Sequence, residues 1–181
     1  IRTRLVGSEM CIRDRLQPYW SPSNGDGPET RGAIIGFNED HTRAHLYRAM
    51  IEGLTYALRE SKELLEKRSG KAISRLVVSG GGSQSDQVMQ ITADIFGMTV
   101  FRPHTFETSS LGSAIASAVG VGLYPDFTTA VENMTHDGDC FNPIDANKDV
   151  YDDLYHKVYK KMYGQLKPSY EAIRSITSRS V

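Results

Sequence analysis

The sequence predicts an α/β layer fold with at least one parallel strand pair, and three observations lead there. Two short runs, RLVVS at 75–79 and TVFR at 99–102, are rich in β-branched and aromatic residues and lack a helical period. An amphipathic helical stretch lies between them, and two more helical patterns flank the pair. Helix, strand, helix, strand, helix is the order of a layered α/β unit, whose crossover makes the two strands parallel.

Bulk properties narrow the function classes. With 181 residues there is enough chain for one ordinary domain with a real core. Hydrophobic residues at 39% and charged residues at 24% give a soluble globular balance, not a disordered one. No apolar run approaches the roughly 20 residues that span a bilayer. A net charge of −1 offers no global field for nucleic acid or anionic lipid. Cys11 and Cys140 stand far apart with no metal-ligand partner at useful spacing. That argues against a disulfide framework or a zinc ribbon and fits a reducing cytoplasm.

Taken in order, the opening IRTRLVGSEMCIRDR alternates basic and apolar residues without a sustained period and resembles translated sequencing adapter. Residues 1–15 are therefore expected to be a non-native or disordered leader, with one domain from 16 to 181. Residues 17–33, rich in Pro, Gly and polar turn formers, read as an irregular loop before the apolar Ile34, Ile35 and Phe37. From His41 to Arg68, Leu46, Met50, Leu54, Ala57, Leu58 and Leu65 recur at helical steps. Arg48, Glu52, Arg59, Lys62 and Glu66 fall on the rest of that helix surface. Asp40 is the expected N-cap and Gly70 the expected stop.

RLVVS is read as a buried strand. The helix after it, 83–96, carries Val88, Ile91, Ile95 and Phe96 on its apolar stripe and ends at Gly97. Ser83 with Asp86 resembles a capping box, with Asp in place of Glu. Thr99–Arg102 is the second strand, closed by Pro103. The small-residue run SSLGSAIASAVGVG predicts a helix over 109–119 suited to close packing against a neighbour. A short helix follows near 126–134. The last begins near Asn147, with Val150, Leu154, Tyr155, Val158, Tyr159 and Met162 inward and Pro168 expected to kink or interrupt it. Two strands make too small a sheet, so the chain is expected to be incomplete.

The most informative segment is VVSGGGSQSD, Val77–Asp86, where a strand ends, three glycines follow and a helix begins. Glycines permit positive φ and let a ligand approach the backbone with no Cβ in the way. The free N–H groups of a new helix favour an anion or a polar nucleotide group. A tight structural connection explains the same residues equally well. Two specific alternatives fail. A dinucleotide fingerprint needs glycine at position 85, where Ser85 stands, and a P-loop needs a lysine followed by Ser or Thr after the glycines.

SGGGSQSDQVMQITADIFG, from Ser79 to Gly97, resembles the adenosine motif of the FGGY carbohydrate kinases, as does ETSSLGSAIASAVGVG from Glu107 to Gly122. RGAIIGFNEDHTRAHLYRAMIEGLTYAL, from Arg31 to Leu58, is similar to that family's carboxy-terminal signature region. The resemblance runs from about Gln17 to about Ser175. It implies an RNase H-like lobe of the sugar kinase, heat-shock ATPase and actin superfamily, truncated at its N-terminal strands. It also implies ATP with magnesium, a pentulose-type sugar or glycerol as acceptor, and a cytoplasmic protein. Carried over by position, Gly80, Gly81 and Gly82 line the nucleotide, Ser85 faces the adenine and Gln84 lies beside it. Glu107 and Thr108 border the entrance, or serve as a loop residue and a helix cap.

The family's sugar pocket, acid-and-glycine phosphate motif and catalytic aspartate all precede the matched region. No catalytic or metal-binding residue is therefore expected here, and the chain is expected to be inactive alone. ATP or ADP is the implied partner, sugar binding belongs to the missing lobe, and homo-oligomerisation stays open. A non-catalytic nucleotide-binding module and a heat-shock or actin type ATPase lobe are the alternatives. Asp86 and Asp94 are assigned capping and surface roles. His41 and His45, four apart, lack a third ligand and are assigned to the helix start. The stripe Tyr151, Tyr155, Tyr159 and Tyr163 is assigned to packing.

Overall fold

The computed structural model describes residues 15–18 and 30–178. The expected leader, apart from the backbone of Arg15, and most of the 17–33 loop lie outside the described residues, as does Cys11. Two compact units are present: the described residues up to Lys71 with those from Ala146 onward, and Ala72–Asp145.

The first unit pairs β1 (Arg15–Gln17) antiparallel with β2 (Ala33–Ile35), Leu16 opposite Ile34. Helix α1 (Arg43–Ser69) begins at Thr42, not at the expected Asp40. The His45 ring reaches back and its Nδ1 accepts from the Thr42 backbone N–H at 3.0 Å. A histidine thus takes the place that Glu or Gln holds in the usual capping box. Asp40 sits in the preceding turn, where its N–H donates to Asn38 Oδ1 at 3.1 Å. Gly70 ends α1 as expected, at φ 67°.

Helix α1 buries a different face from the one its leucines mark. Ala49, Glu52, Gly53, Thr55 and Tyr56 are buried, while Leu58 is 60% exposed and Glu52 only 2%. Gly53 is fixed by close approach, since a Cβ there would lie 2.3 Å from the Leu16 carbonyl oxygen. The partners of this face are tyrosines of the last helical stretch: α5 (Asp145–Leu154), a π turn over Tyr155–Tyr159, and α6 (Lys160–Thr177). Arg48 Nε donates to Glu52 Oε1 at 2.8 Å, and Arg48 Nη2 donates to the Tyr151 hydroxyl at 2.9 Å. That hydroxyl donates in turn to Glu52 Oε1 at 2.8 Å. Burial, with the Glu52 carboxylate beside it, pushes the Tyr151 phenol well above its ordinary range. Glu52 is buried because these two donors satisfy it.

Tyr56 packs among Tyr151, Tyr155 and Tyr159, stacking on Tyr155 at 5.6 Å between ring centroids. The expected packing role of the tyrosine stripe is therefore met at 151, 155 and 159. Pro168 lies inside α6 and does not interrupt it, for the helix continues to Thr177.

The second unit is a three-stranded sheet in the order β3 (Leu76–Val77), β4 (Val100–Pro103), β5 (Asp137–Phe141). Strands β3 and β4 are parallel, Leu76 opposite Val100, as the alternating pattern required. The crossover contains α2 (Asp86–Phe96), whose Met89 and Ala93 meet Val100, Leu76, Val78 and Phe141 in one apolar cluster. Strand β3 is shorter than expected and lies at the sheet edge, with Val77 49% exposed. Antiparallel β5 has no counterpart in the sequence reading, because Asp137, Gly138 and Asp139 are poor strand formers.

Helices α3 (Thr108–Gly120) and α4 (Phe127–Met134) pack against each other. The small residues of α3 serve this only in part: Ala118 is buried beside the larger Ile115, whereas Gly112, Ser113 and Ala116 are exposed. Asp126 caps α4 by accepting from the Thr129 N–H at 2.8 Å.

Two acids depart from their expected roles. Asp94, at 2% exposure, is not a surface residue. Its Oδ1 accepts from Gln90 Nε2 at 2.9 Å and from the Ile144 N–H at 2.8 Å, holding the segment after β5 onto α2. Asp86 forms no capping box with Ser83; it pairs with Arg102.

Replacing Tyr151 with Phe removes the hydroxyl that serves Arg48, Glu52 and the α1–α5 seam. Denaturant unfolding of the chain is expected to show a loss of roughly 1–3 kcal/mol, the cost of leaving buried polar partners short of a bond. An unchanged midpoint would contradict the seam's role.

Candidate functional site

The candidate site is the connection from β3 to α2. The ladder runs one residue past the strand, with the Val78 N–H donating to the Phe101 carbonyl at 2.9 Å. Ser79 Oγ then lies 3.1 Å from Thr108 Oγ1 and ties the strand end to the first residue of α3. Gly80 follows at φ 93°, a region that L side chains rarely enter. Its carbonyl accepts twice from Ser83, from the N–H at 3.1 Å and from Oγ at 2.7 Å. Those two bonds close a 3-10 turn over Gly81–Gln84, with Ser83 wholly buried beneath it.

The three glycines serve different ends. Gly80 is required by its backbone angle. Gly81 and Gly82 have ordinary φ, and a Cβ built on either would meet nothing within 4 Å. The fold itself therefore does not demand glycine at 81 or 82. Their outer face is open, and their N–H groups stand in an opening turn, where intrahelical acceptors are lacking.

Ser85, half-buried at φ −94° and ψ 118°, turns the chain into α2 as its N-cap residue, yet its side chain makes no capping bond. Its hydroxyl donates instead to Gln87 Oε1 at 2.9 Å. Gln84 is exposed. Asp86 in the first turn pairs with Arg102, which also reaches Asp139 at 3.3 Å and lies over the Phe141 ring. Glu107 stands at the N-cap position of α3 without a side-chain capping bond, and Thr108 is the residue bonded to Ser79.

On the Ser79 side a cleft of about 710 Å³ opens among Arg75, Val77, Ser79, His104, Thr108 and His136. It adjoins the glycine turn but is not lined by Gly81, Gly82 or Ser85. Arg75 bridges it to Asp137, and the His104 and His136 rings lie 5.4 Å apart. Among the described residues, no group of three or more His, Cys, Asp or Glu could hold a metal ion. His41 and His45 are engaged at the start of α1, as expected.

The predicted residues Gly80, Gly81, Gly82, Gln84 and Ser85 thus form one turn. Ser79 and Gln87 were not predicted. Neither was legible: the sequence pattern started the helix at Ser83, whereas α2 starts after Ser85, and the partner of Ser79 is 29 residues away.

Residues 19–121 match the C-terminal domain of the FGGY family of carbohydrate kinases. Among curated proteins, the chain is similar to an uncharacterised sugar kinase of Escherichia coli (strain K12). The identity is 37% over 143 residues, covering 79% of this chain and 28% of that protein. It is also 41% identical over 107 residues to a glycerol kinase of Saccharolobus islandicus, covering 59% of this chain and 20% of that one. Among solved structures, the xylulose kinase from Rhodospirillum rubrum superposes with a TM-score of 0.72 at 29% identity, over 87% of this chain and 31% of that one. The chain therefore spans less than a third of the length of each of these relatives.

Gly80→Ala is expected to lower the stability of the chain by about 1–3 kcal/mol, the cost of a side chain at φ 93° and ψ −176°, a backbone region essentially reserved for glycine. Gly81→Ala should leave it nearly unchanged. Thermal unfolding of the two variants checks this, and equal effects would contradict the division of labour among the glycines.

Proposed function

This chain belongs to the FGGY family of carbohydrate kinases, and from that membership we propose that it is the nucleotide-side portion of an ATP-dependent sugar kinase. The intact parent moves the γ-phosphoryl group of ATP to a carbohydrate hydroxyl. The observation that carries the reading is the open face of Gly81 and Gly82, glycines for which the fold has no need of its own. In this reading they lie against the nucleotide's phosphates and ribose, where a Cβ would block the approach. Gly80 sets their position, Ser85 faces the adenine and Gln84 lies beside it. Glu107 and Thr108 border the entrance, held to the glycine turn through Ser79.

Phosphoryl transfer also needs an aligned acceptor hydroxyl, a base for its proton and charge neutralisation at the phosphates. Three aspartates of the same unit are already committed. Asp86 pairs with Arg102, Asp94 holds two donors and Asp126 caps α4. The base and the sugar pocket belong to the remainder of the parent, and this chain alone is inactive. Magnesium accompanies the nucleotide in such chemistry, held mainly by the phosphates and waters with one or two carboxylates; among the described residues no group of three or more His, Cys, Asp or Glu could hold a metal ion by itself.

The acceptor is a pentulose-type sugar, supported by the likeness to the Rhodospirillum rubrum xylulose kinase at 29% identity. Glycerol is the second candidate, supported by the 41% identity to the Saccharolobus islandicus glycerol kinase. The parent works in the cytoplasm, where ATP is supplied. Among the described residues, no helix is long and apolar enough to cross a membrane.

Gly81→Val tests the site. By calorimetric titration the variant should bind ADP at least tenfold more weakly than the unaltered chain while its unfolding curve stays in place. Equal affinity would contradict the placement. The intact parent should release ADP only when a pentulose or glycerol is added; ADP release that ignores added sugar would point to an ATPase of the heat-shock or actin type.

A further inference from the structure

The geometry points to Gln87 as the positioning residue that makes the site read an amino group on the purine and so prefer adenine to guanine. This rests on the reading that Ser85 faces the base. A free serine hydroxyl is ambiguous: it can donate to the 6-keto oxygen of guanine or accept from the 6-amino group of adenine. In this chain that ambiguity is removed. The Ser85 hydroxyl donates to Gln87 Oε1 at 2.9 Å, which commits its one proton. What remains on Ser85 Oγ is two acceptor lone pairs.

Two further features hold the arrangement. Serine at a helix N-cap ordinarily accepts from a backbone N–H two or three residues on. Ser85 stands at that position in α2 without making such a bond, so its lone pairs are not spent on the helix. Gln87 is in the first turn of α2, half-buried, where its backbone is fixed by a helix of 11 residues. An amino group on the base then meets an acceptor. A keto oxygen meets lone pairs and no proton, and its own hydrogen bond to water is lost without replacement.

The test is the ratio of ADP to GDP affinity, measured by titrating the full 181-residue chain and three variants. The unaltered chain should favour ADP by about tenfold, the effect of one good hydrogen bond replaced by an unsatisfied one. Gln87→Leu keeps the bulk but frees the hydroxyl proton. Its preference should fall to about twofold or less, chiefly through tighter GDP binding. Gln87→Glu keeps the acceptor, drops the amide donor and should retain the preference. Ser85→Ala should abolish it. A purely structural role for Gln87 would weaken both nucleotides together and leave the ratio unchanged, which overturns the inference. So does a preference that survives Gln87→Leu or is lost in Gln87→Glu. ADP binding without preference in the unaltered chain defeats this inference but leaves the nucleotide site standing. Failure to bind either nucleotide defeats both.

Discussion

Gly80 is held at φ 93° while its carbonyl takes two hydrogen bonds from Ser83, and the geometry downstream of β3 follows from that pair of facts. A parallel strand pair needs a crossover that leaves the end of β3 sharply and enters a helix packed on the sheet. Gly80 makes the turn at positive φ, and the 3-10 turn beneath it absorbs four residues before α2 starts. Met89 and Ala93 can then meet Val100. The turn that lets the sheet pack also leaves Gly81 and Gly82 facing outward with nothing against them. Fold and candidate site share one constraint at Gly80 and separate one residue later.

The first unit solves a different problem. Its last helical stretch brings tyrosines, not aliphatic residues, to α1, and their hydroxyls need partners when buried. Arg48 and Glu52 supply them for Tyr151, so a carboxylate is buried beside that tyrosine while Leu58 faces outward. Such a network is costly to desolvate and gives little net stability over an apolar seam. What it does give is a single register, because removing any one member strands the others.

Much of the local structure was legible. Gly70 and Gly97 stop their helices in the left-handed region, and the strand pair is parallel, because these depend on residues close in sequence. The glycine turn was legible for the same reason. What sequence reading missed depends on distant partners. Strand β5 contains Asp, Gly and Asp, and only its pairing with β4 makes it a strand. Glu52 looks solvated until Tyr151, 99 residues on, donates to it. Asp94 looks solvated until the Ile144 N–H, 50 residues on, does the same. Apolar periodicity chose the wrong face of α1 because it counts carbon and cannot see which polar groups will be paired. At the candidate site, the pattern GGG does not say which glycine serves the backbone; φ and the space around each Cβ do.

Membership in the carbohydrate kinases accounts for the fold, and the glycine turn is where the nucleotide is proposed to rest. Photolabelling with 8-azido-ADP followed by peptide mapping addresses that placement without assuming catalysis. The label should fall on a peptide within residues 79–87 and be competed away by ADP. ADP-competed labelling confined to a peptide elsewhere in the chain would contradict the placement.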